Sequence, residues 1–289
     1  MPVEVDEALA LRPGAVVVDA TLGLGGHSLM MTEKIGPQGH LIGIDQDEAA
    51  IAIARDRLKG FSGRLDIVKS NFCGMDEVLS GLGVATVDAV LFDLGVSSLQ
   101  FDAPERGFSF RSDGPLDMRM DAQAATTAED VVNERSEKEL GDLIFQYGEE
   151  RFARRIAQRI VAARASMRIK TTVQLADIVL RSLPKGYQRD RIHPATRTFQ
   201  ALRIAVNREL DVLPDALGSA FSHLKPGGRM AVISFHSLED RIVKQGFKAL
   251  ARQGSAALLT KRPLIPTDAE AADNPRSRSA KMRALERIM

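Results

Sequence analysis

The chain has 289 residues, enough for one large domain or two small ones, with 44% apolar and 27% charged residues. Its formal net charge is +1, so the surface as a whole is no magnet for nucleic acid and any basic footprint must be local. Cys73 is the single cysteine, which excludes a disulfide frame and a thiolate metal cluster. Met1 to Leu11 carries acids and no long apolar run, so it reads as neither a signal peptide nor a membrane span. These features predict a cytoplasmic protein.

Val16, Val17 and Val18 are β-branched and apolar and predict a buried parallel strand ending at Asp19. Gly23, Gly25 and Gly26 follow, where the backbone can turn tightly and approach a ligand. A helix is predicted from His27 to Ile35. Strand, glycine turn and helix open a nucleotide-binding α/β sheet, whose ligands sit at the carboxyl ends of the strands. A dinucleotide fingerprint would need glycine at position 28, which is Ser28. S-adenosylmethionine, which has no pyrophosphate, does not need that third glycine.

Residues 39–44 predict a second strand, followed by Asp45 and Asp47 and a helix over 48–59. Asp45 lies about 20 residues past the turn, where a carboxylate can accept ribose hydroxyls; Asp47 reads as the acid that opens the helix. Residues 64–69 predict a third strand with Asn71 and Phe72 at its end. Phe72 can pack on an adenine ring or in the core, and the sequence does not separate the two. Cys73 has no basic neighbour and reads as inert. Residues 87–94 form the most apolar strand and deliver Asp93 beside the first strand, at the switch point where chemistry is expected. Ser97, Ser98 and Gln100 follow.

Residues 101–121 are irregular, charged and rich in phenylalanine, as functional loops often are. A helical stretch then interrupts the α/β rhythm. Ser136-x-x-Glu139 and Thr171-x-x-Gln174 are capping boxes. Between them, helical periodicity over Tyr147–Ala163 puts Phe152, Ile156 and Ile160 on one face. Arg151, Arg154 and Arg155 fall opposite, bordered by Arg159. Such a face is either ordinary solvated surface or a contact for phosphates. Residues 188–200 lead into a long helix with Pro194 in its first turn and an apolar stripe of Leu202, Ala205, Val206 and Leu210. His193 and Arg197 stand at its start, an end that attracts anions. Leu224–Gly228 reads as a turn before a strand over Arg229–Phe235. His236 to Arg241 opens a further helix. Residues 263–279 read as a mobile loop, flanked by 256–262 and 280–288, which can pair as a hairpin.

Taken together, Asp19-x-Thr-x-Gly-x-Gly-Gly-His27, Asp93-Leu-Gly-Val-Ser-Ser98, Glu105-Arg-Gly-Phe-Ser-Phe110 and Asp113-Gly-Pro-Leu-Asp-Met-Arg-Met120 carry a resemblance. Tyr147-Gly-Glu-Glu-Arg-Phe152, His193-Pro-Ala-Thr-Arg-Thr-Phe-Gln200, Ser234-Phe-His-Ser-Leu-Glu-Asp-Arg-Ile-Val-Lys244 and Asn274-Pro-Arg-Ser-Arg-Ser279 extend it over nearly the whole chain. The sequence resembles the ribosomal RNA small subunit methyltransferase H family, also known as MraW. The segment before the first strand looks shortened against that family, with Met1 where a His often stands.

The resemblance implies an α/β fold, a class I S-adenosylmethionine-dependent methyltransferase with a Rossmann-like sheet and an inserted all-helical domain. The expected division is 1–105 and 201–289 for the methyltransferase domain and 106–200 for the insertion. It implies S-adenosylmethionine as cofactor, no metal, and a cytosine N4 in the decoding centre of 16S rRNA, within the small ribosomal subunit, as acceptor. The cofactor contacts it implies are Gly25, Gly26, His27, Asp45, Phe72, Asp93 and Gln100. Asp93 is the expected catalytic acceptor and Ser97 a weaker one. His193, Arg197, His236 and Arg241 are the expected RNA contacts. The oligomeric state stays open, a homodimer included. Rival readings are a methyltransferase for DNA or a small molecule, disfavoured by Leu94-Gly95-Val96 where an amino-methylating DNA enzyme has Pro-Pro-aromatic, and a non-catalytic ribosome-assembly protein that has kept the fold. A nicotinamide reductase is disfavoured by Ser28.

Overall fold

The computed structural model describes residues 1–184 and 193–289. Along the chain run α1 (Pro2–Leu9), β1 (Val16–Asp19), α2 (Gly26–Ile35), β2 (His40–Asp45), α3 (Glu48–Leu58), β3 (Arg64–Lys69), α4 (Met75–Gly81) and β4 (Val87–Asp93). Then come α5 (Ser98–Asp102), α6 (Ala128–Glu134), α7 (Glu137–Gly148), α8 (Ala153–Arg164), α9 (Thr172–Ser182) and α10 (Thr196–Asn207). The chain closes with α11 (Glu209–His223), β5 (Leu224–Ser234), α12 (Ser237–Arg252), β6 (Ala256–Leu258), α13 (Asp268–Asp273) and β7 (Lys281–Arg287). Two compact units result: Met1–Gly95 with Leu210–Met289, and Val96–Glu209. The inserted unit therefore begins and ends outside the expected 106–200. No helix among the described residues is long and apolar enough to cross a membrane.

The first unit is a seven-stranded sheet in the order β3-β2-β1-β4-β5-β7-β6. Strands β1 to β5 pair in parallel, and β7 runs antiparallel to both β5 and β6. Helices on both faces explain why β4 is apolar throughout. Val90 and Phe92 point into one core with Leu213, Leu217, Val243 and Phe247. Ala89 and Leu91 point into the other with Val5, Met31, Ile35 and Leu58. The chain order reverses between β1 and β4, which opens the crevice where ligands of such sheets bind.

Two expectations change here. Leu224–Gly228 is not a turn before β5 but its first part. The register shifts between Val87 and Ala89 of β4, and Gly227 takes a φ of 79°. Asp88 holds this irregularity by accepting from Lys225 Nζ at 2.9 Å and from Val16 N at 2.8 Å, so Pro226 sits where the ladder is already interrupted. The 263–279 stretch contains α13, whose cap Thr267 accepts from Glu270 N, and a 3-10 turn over Pro275–Ser279. The expected hairpin is β6 with β7.

The second unit packs α6 to α10 around a separate core that includes Val131, Leu140, Ile156, Ile160, Leu175 and Leu202. Both capping boxes form, at Ser136 and Thr171. The helix read over Tyr147–Ala163 is broken: α7 ends at Gly148, Glu149 is left-handed with φ 49°, and α8 begins at Ala153. The next helix also breaks, at Arg208 with φ 52°, so Leu210 belongs to α11. Of the stripe expected there only Leu202 is fully buried, with Ala201 and Ile204 beside it. Residues 101–121 are part of the core, contributing buried Phe108, Leu116, Met118 and Met120. Asn207 pins that stretch, donating from Nδ2 to the Met118 carbonyl and accepting from Met120 N, both at 2.8 Å.

Gly107 turns the stretch back with φ 72°, and a Cβ there would overlap the Pro115 carbonyl. Gly107→Ala is expected to destabilise the protein by about 2–5 kcal/mol, the left-handed cost plus forced repacking. Gly83→Ala, left-handed at φ 70° but facing open space, should lose only the roughly 1–2 kcal/mol backbone part. Urea unfolding of the two variants checks the difference.

Candidate active site

The carboxyl ends of β1, β2 and β4 are tied together by side chains. Asp19 is buried and accepts from Ser28 Oγ at 2.7 Å and from Thr21 N at 3.3 Å. The Thr21 hydroxyl oxygen accepts from Asp93 N at 2.6 Å. The ladder thus continues one step past the strands, and the Asp93 backbone is fixed where β4 ends. Next comes the glycine turn, with Gly23 at φ 50° and Gly25 at φ 75°. A Cβ on Gly25 would lie 3.3 Å from that of Ala54 in α3, so glycine here serves both the left-handed turn and close helix approach. No side chain caps the first turn of α2, which leaves its N–H groups as donors for an incoming polar or anionic group.

Asp45 braces this turn from β2, accepting from Gly23 N at 2.7 Å on one oxygen and from Asp47 N at 2.9 Å on the other. Asp47 caps α3 through Ala49 N. Asp45 thus faces the turn and Asp47 starts the helix. Burial pushes the Asp45 carboxyl above the usual range, and the hydrogen bonds from Asp47 N and Gly23 N pull it back. Phe72 is half-buried and meets Phe92 edge-on, ring centroids 5.8 Å apart, so it packs against the core while keeping part of its surface open.

Asp93 is the unusual group. Its Oδ1 is buried with no hydrogen-bond partner among the described residues. Its Oδ2 lies 3.6 Å from His27 Nε2, and about a third of the side chain stays accessible. Burial pushes its carboxyl up to about 7; the terminal amino group of Met1 pulls down and Glu239 pushes up. Asp19 rises to about 6, again mainly by burial, against the opposing hydrogen bond from Ser28. Burial also lowers His27, with Asp19 opposing. The imidazole is thus neutral near pH 7, so its approach to Asp93 is no ion pair. Its Nδ1 is likewise buried without a partner. Two orphaned polar atoms beside an uncapped glycine turn are what a polar ligand would complete. Gly25, Gly26, His27, Asp45, Phe72 and Asp93 all belong to this end of the first unit, and the set fits an adenosyl cofactor with an amino-acid tail.

Other expected residues are placed differently. Ser97 and Gln100 cap each other: the Ser97 hydroxyl oxygen accepts from Gln100 N at 3.2 Å and Gln100 Oε1 accepts from Ser97 N at 3.0 Å. This capping box starts α5, within the second unit. His193 Nδ1 accepts from Ala195 N at 3.2 Å, and its ring lies on Phe110 at 4.6 Å. Arg197 reaches buried Glu150 at 3.8 Å. Both hold α10 in place, whatever else they touch. His236 is engaged in the fold: its Nδ1 accepts from Glu239 N at 3.4 Å as the cap of α12, and its side chain is 9% exposed. Arg241 is exposed on α12.

Sequence reasoning missed Thr21, Ser28 and Glu239. Glu239 is buried and accepts from Phe235 N at 2.8 Å, while its other oxygen lies 3.1 Å from His236 Nε2 without hydrogen-bond alignment. Its signal was a capping box, His236-x-x-Glu239, with histidine where serine or threonine is usual.

The strand order with its antiparallel β7, the glycine turn and the acid ending β2 define a class I S-adenosylmethionine-dependent methyltransferase. Residues 1–288 match the model of the MraW methylase family. The chain belongs to that family. It is similar to the ribosomal RNA small subunit methyltransferase H of Citrifermentans bemidjiense, 51% identical over 303 residues that cover 100% of this chain and 97% of that protein. Against the protein of that name from Geobacter sulfurreducens, identity is 52% over 304 residues with the same coverage.

The raised Asp93 carboxyl has a consequence for stability. Between about pH 4 and 7 the folded state holds a proton that the unfolded chain, with a carboxyl near 3.8, releases. Stability therefore falls as pH rises through that window. Asp93→Asn removes this dependence, so its stability relative to the unsubstituted protein should improve steadily from pH 4 to 7 and level off above. Urea unfolding across that range checks the sign.

Proposed function

We propose that this protein transfers a methyl group from S-adenosylmethionine to the exocyclic N4 of a cytosine in the decoding centre of 16S rRNA. The substrate class rests on the family and on relatives named for small-subunit rRNA methylation at about half identity over the full chain. The chemistry rests on one observation: Asp93 ends an apolar strand beside the glycine turn with a buried, unpartnered carboxylate oxygen.

S-adenosylmethionine, when bound, supplies a methyl carbon already electrophilic on its sulfonium. Asp45 would accept the ribose hydroxyls, the turn at Gly25–Gly26 and His27 would take the amino-acid half, and Phe72 would lie against the adenine. N4 of cytosine is a poor nucleophile because its lone pair is delocalised into the ring. Asp93 Oδ1 would accept a hydrogen bond from an N4–H and turn the lone pair toward the methyl carbon, within about 3–3.5 Å. Asp93 would stabilise the positive charge growing on N4 as its bond to the methyl carbon replaces the carbon–sulfur bond, whose electron pair stays on the donor's sulfur, and would take the N4 proton. The base must be unpaired or flipped for this approach. Exposed Cys73 has no part, since attack by an exocyclic nitrogen needs no covalent enzyme adduct. Ser97, engaged as a cap, is the weaker acceptor. The site works without a metal.

Small subunits lacking the modification, incubated with tritiated donor and digested to nucleosides, should yield labelled N4-methylcytidine from a single position. Asp93→Ala should lower turnover by about 10²–10⁴-fold and leave the protein folded; undiminished turnover would remove Asp93 from the mechanism. Because the carboxylate must be ionised to accept, kcat/KM should climb with pH through about 7, the value of the free carboxyl, and flatten above. A profile flat from pH 5.5 to 8.5 would contradict that role.

A further inference from the structure

In the second unit, α8 is a cationic helix without counter-charges of its own. Its twelve residues include Arg154, Arg155, Arg159 and Arg164 and no acid. Arg164 donates to the Val132 carbonyl at 2.7 Å. Arg154, Arg155 and Arg159 are exposed and, among the described residues, make no ion pair or hydrogen bond. Five other cations of this unit are answered, Arg119 by Asp117, Arg135 by Glu139, Lys138 by Asp142, Arg168 by Glu129 and Arg203 by Glu209. Arg111, Lys170 and Arg181 stand singly without an ion pair among the described residues. Ala153, Ile156, Ala157 and Ile160 are buried on the opposite face, so the three guanidinium groups share the outward side. Arg155 and Arg159 lie one helical turn apart, about 6 Å along the axis.

The placement also runs against helix electrostatics. Arg154 and Arg155 occupy the first turn, where the dipole favours anions, and no side chain caps that end. Buried Glu150, whose carboxylate accepts from Phe152 N at 2.9 Å, answers the start of the helix from inside, and the three outward guanidinium groups stay without an acid among the described residues. Ala153 N already donates to the Glu150 carbonyl at 3.2 Å, so an anion bound outside would meet the guanidinium groups together with the N–H groups of Arg154 and Arg155.

We propose that Arg154, Arg155 and Arg159 form a phosphate-docking stripe for the RNA backbone of the substrate. This deepens the proposed function and rests on it. The stripe contributes affinity and register, not base choice or chemistry.

The test measures binding of protein-free 16S rRNA between 50 and 300 mM salt. Replacing all three arginines by alanine should weaken binding at least tenfold at low salt and flatten the log K against log salt slope by about 2–3. Because the Arg154 stem lies over Gly141, R155A/R159A is the second variant, expected to flatten the slope by about 1–2. The triple lysine variant should keep the parental slope. Donor affinity and thermal midpoint should not change, and at saturating small subunits kcat should be retained while KM rises. An unchanged slope in both alanine variants overturns the inference. So does equal binding of protein-free RNA with weakened binding of assembled subunits, which would mean an acidic protein docks there. If the unsubstituted protein methylates no small subunits, the functional reading fails first, and this fails with it.

Discussion

The structure depends on where the ends of β1 and β4 are fixed. Asp93 spends its backbone N–H on the Thr21 hydroxyl, and Thr21 lies between the carboxylate of Asp19 and the glycine turn. That link, together with the pairing of Asp93 with Ile233 of β5, sets the height of the Asp93 side chain above the sheet. It also lets the carboxylate end in a place with one oxygen unanswered. A buried, partly unsatisfied carboxylate is costly, and its raised affinity for a proton is the visible form of that cost. Sites of this kind persist where a ligand or substrate completes them.

The acids around it are sorted by neighbours, not by type. Asp47 opens a helix and Asp45 braces the glycine turn. Asp19 is sealed beneath, answering Ser28. Among the acids of the described residues only Asp93 combines burial, an orphan oxygen and an open edge. His27 beside it stays neutral because burial outweighs the attraction of Asp19, so it can face the carboxylate without neutralising it.

Much of this arrangement was legible in the sequence. The β-branched run before Asp19, the apolar run before Asp93 and the spacing to Asp45 each place a residue at a strand end, because a buried parallel strand must be apolar throughout. What escaped were contacts local pattern does not encode. Leu224–Gly228 looks like a turn, since Pro and Gly mark one, yet Lys225 and Asp88 hold it in the sheet as an irregular strand. Helical periodicity ran straight through Gly148–Phe152, and the break shows only once Arg197 reaches buried Glu150 across the bundle. The capping roles of His236, Ser97 and Gln100 also escaped, because histidine is seldom a helix cap and the mutual bonds of Ser97 and Gln100 show only in three dimensions.

The central claim is that Asp45, the Gly23–His27 turn and Asp93 hold one adenosyl sulfonium between them. A crystal structure with S-adenosylmethionine bound tests this most directly. The account predicts ribose hydroxyls on the Asp45 carboxylate, the amino-acid half over the turn, and the methyl group directed toward the space beside Asp93 Oδ1. A donor seated away from these strand ends, or one whose methyl points away from Asp93, would contradict it.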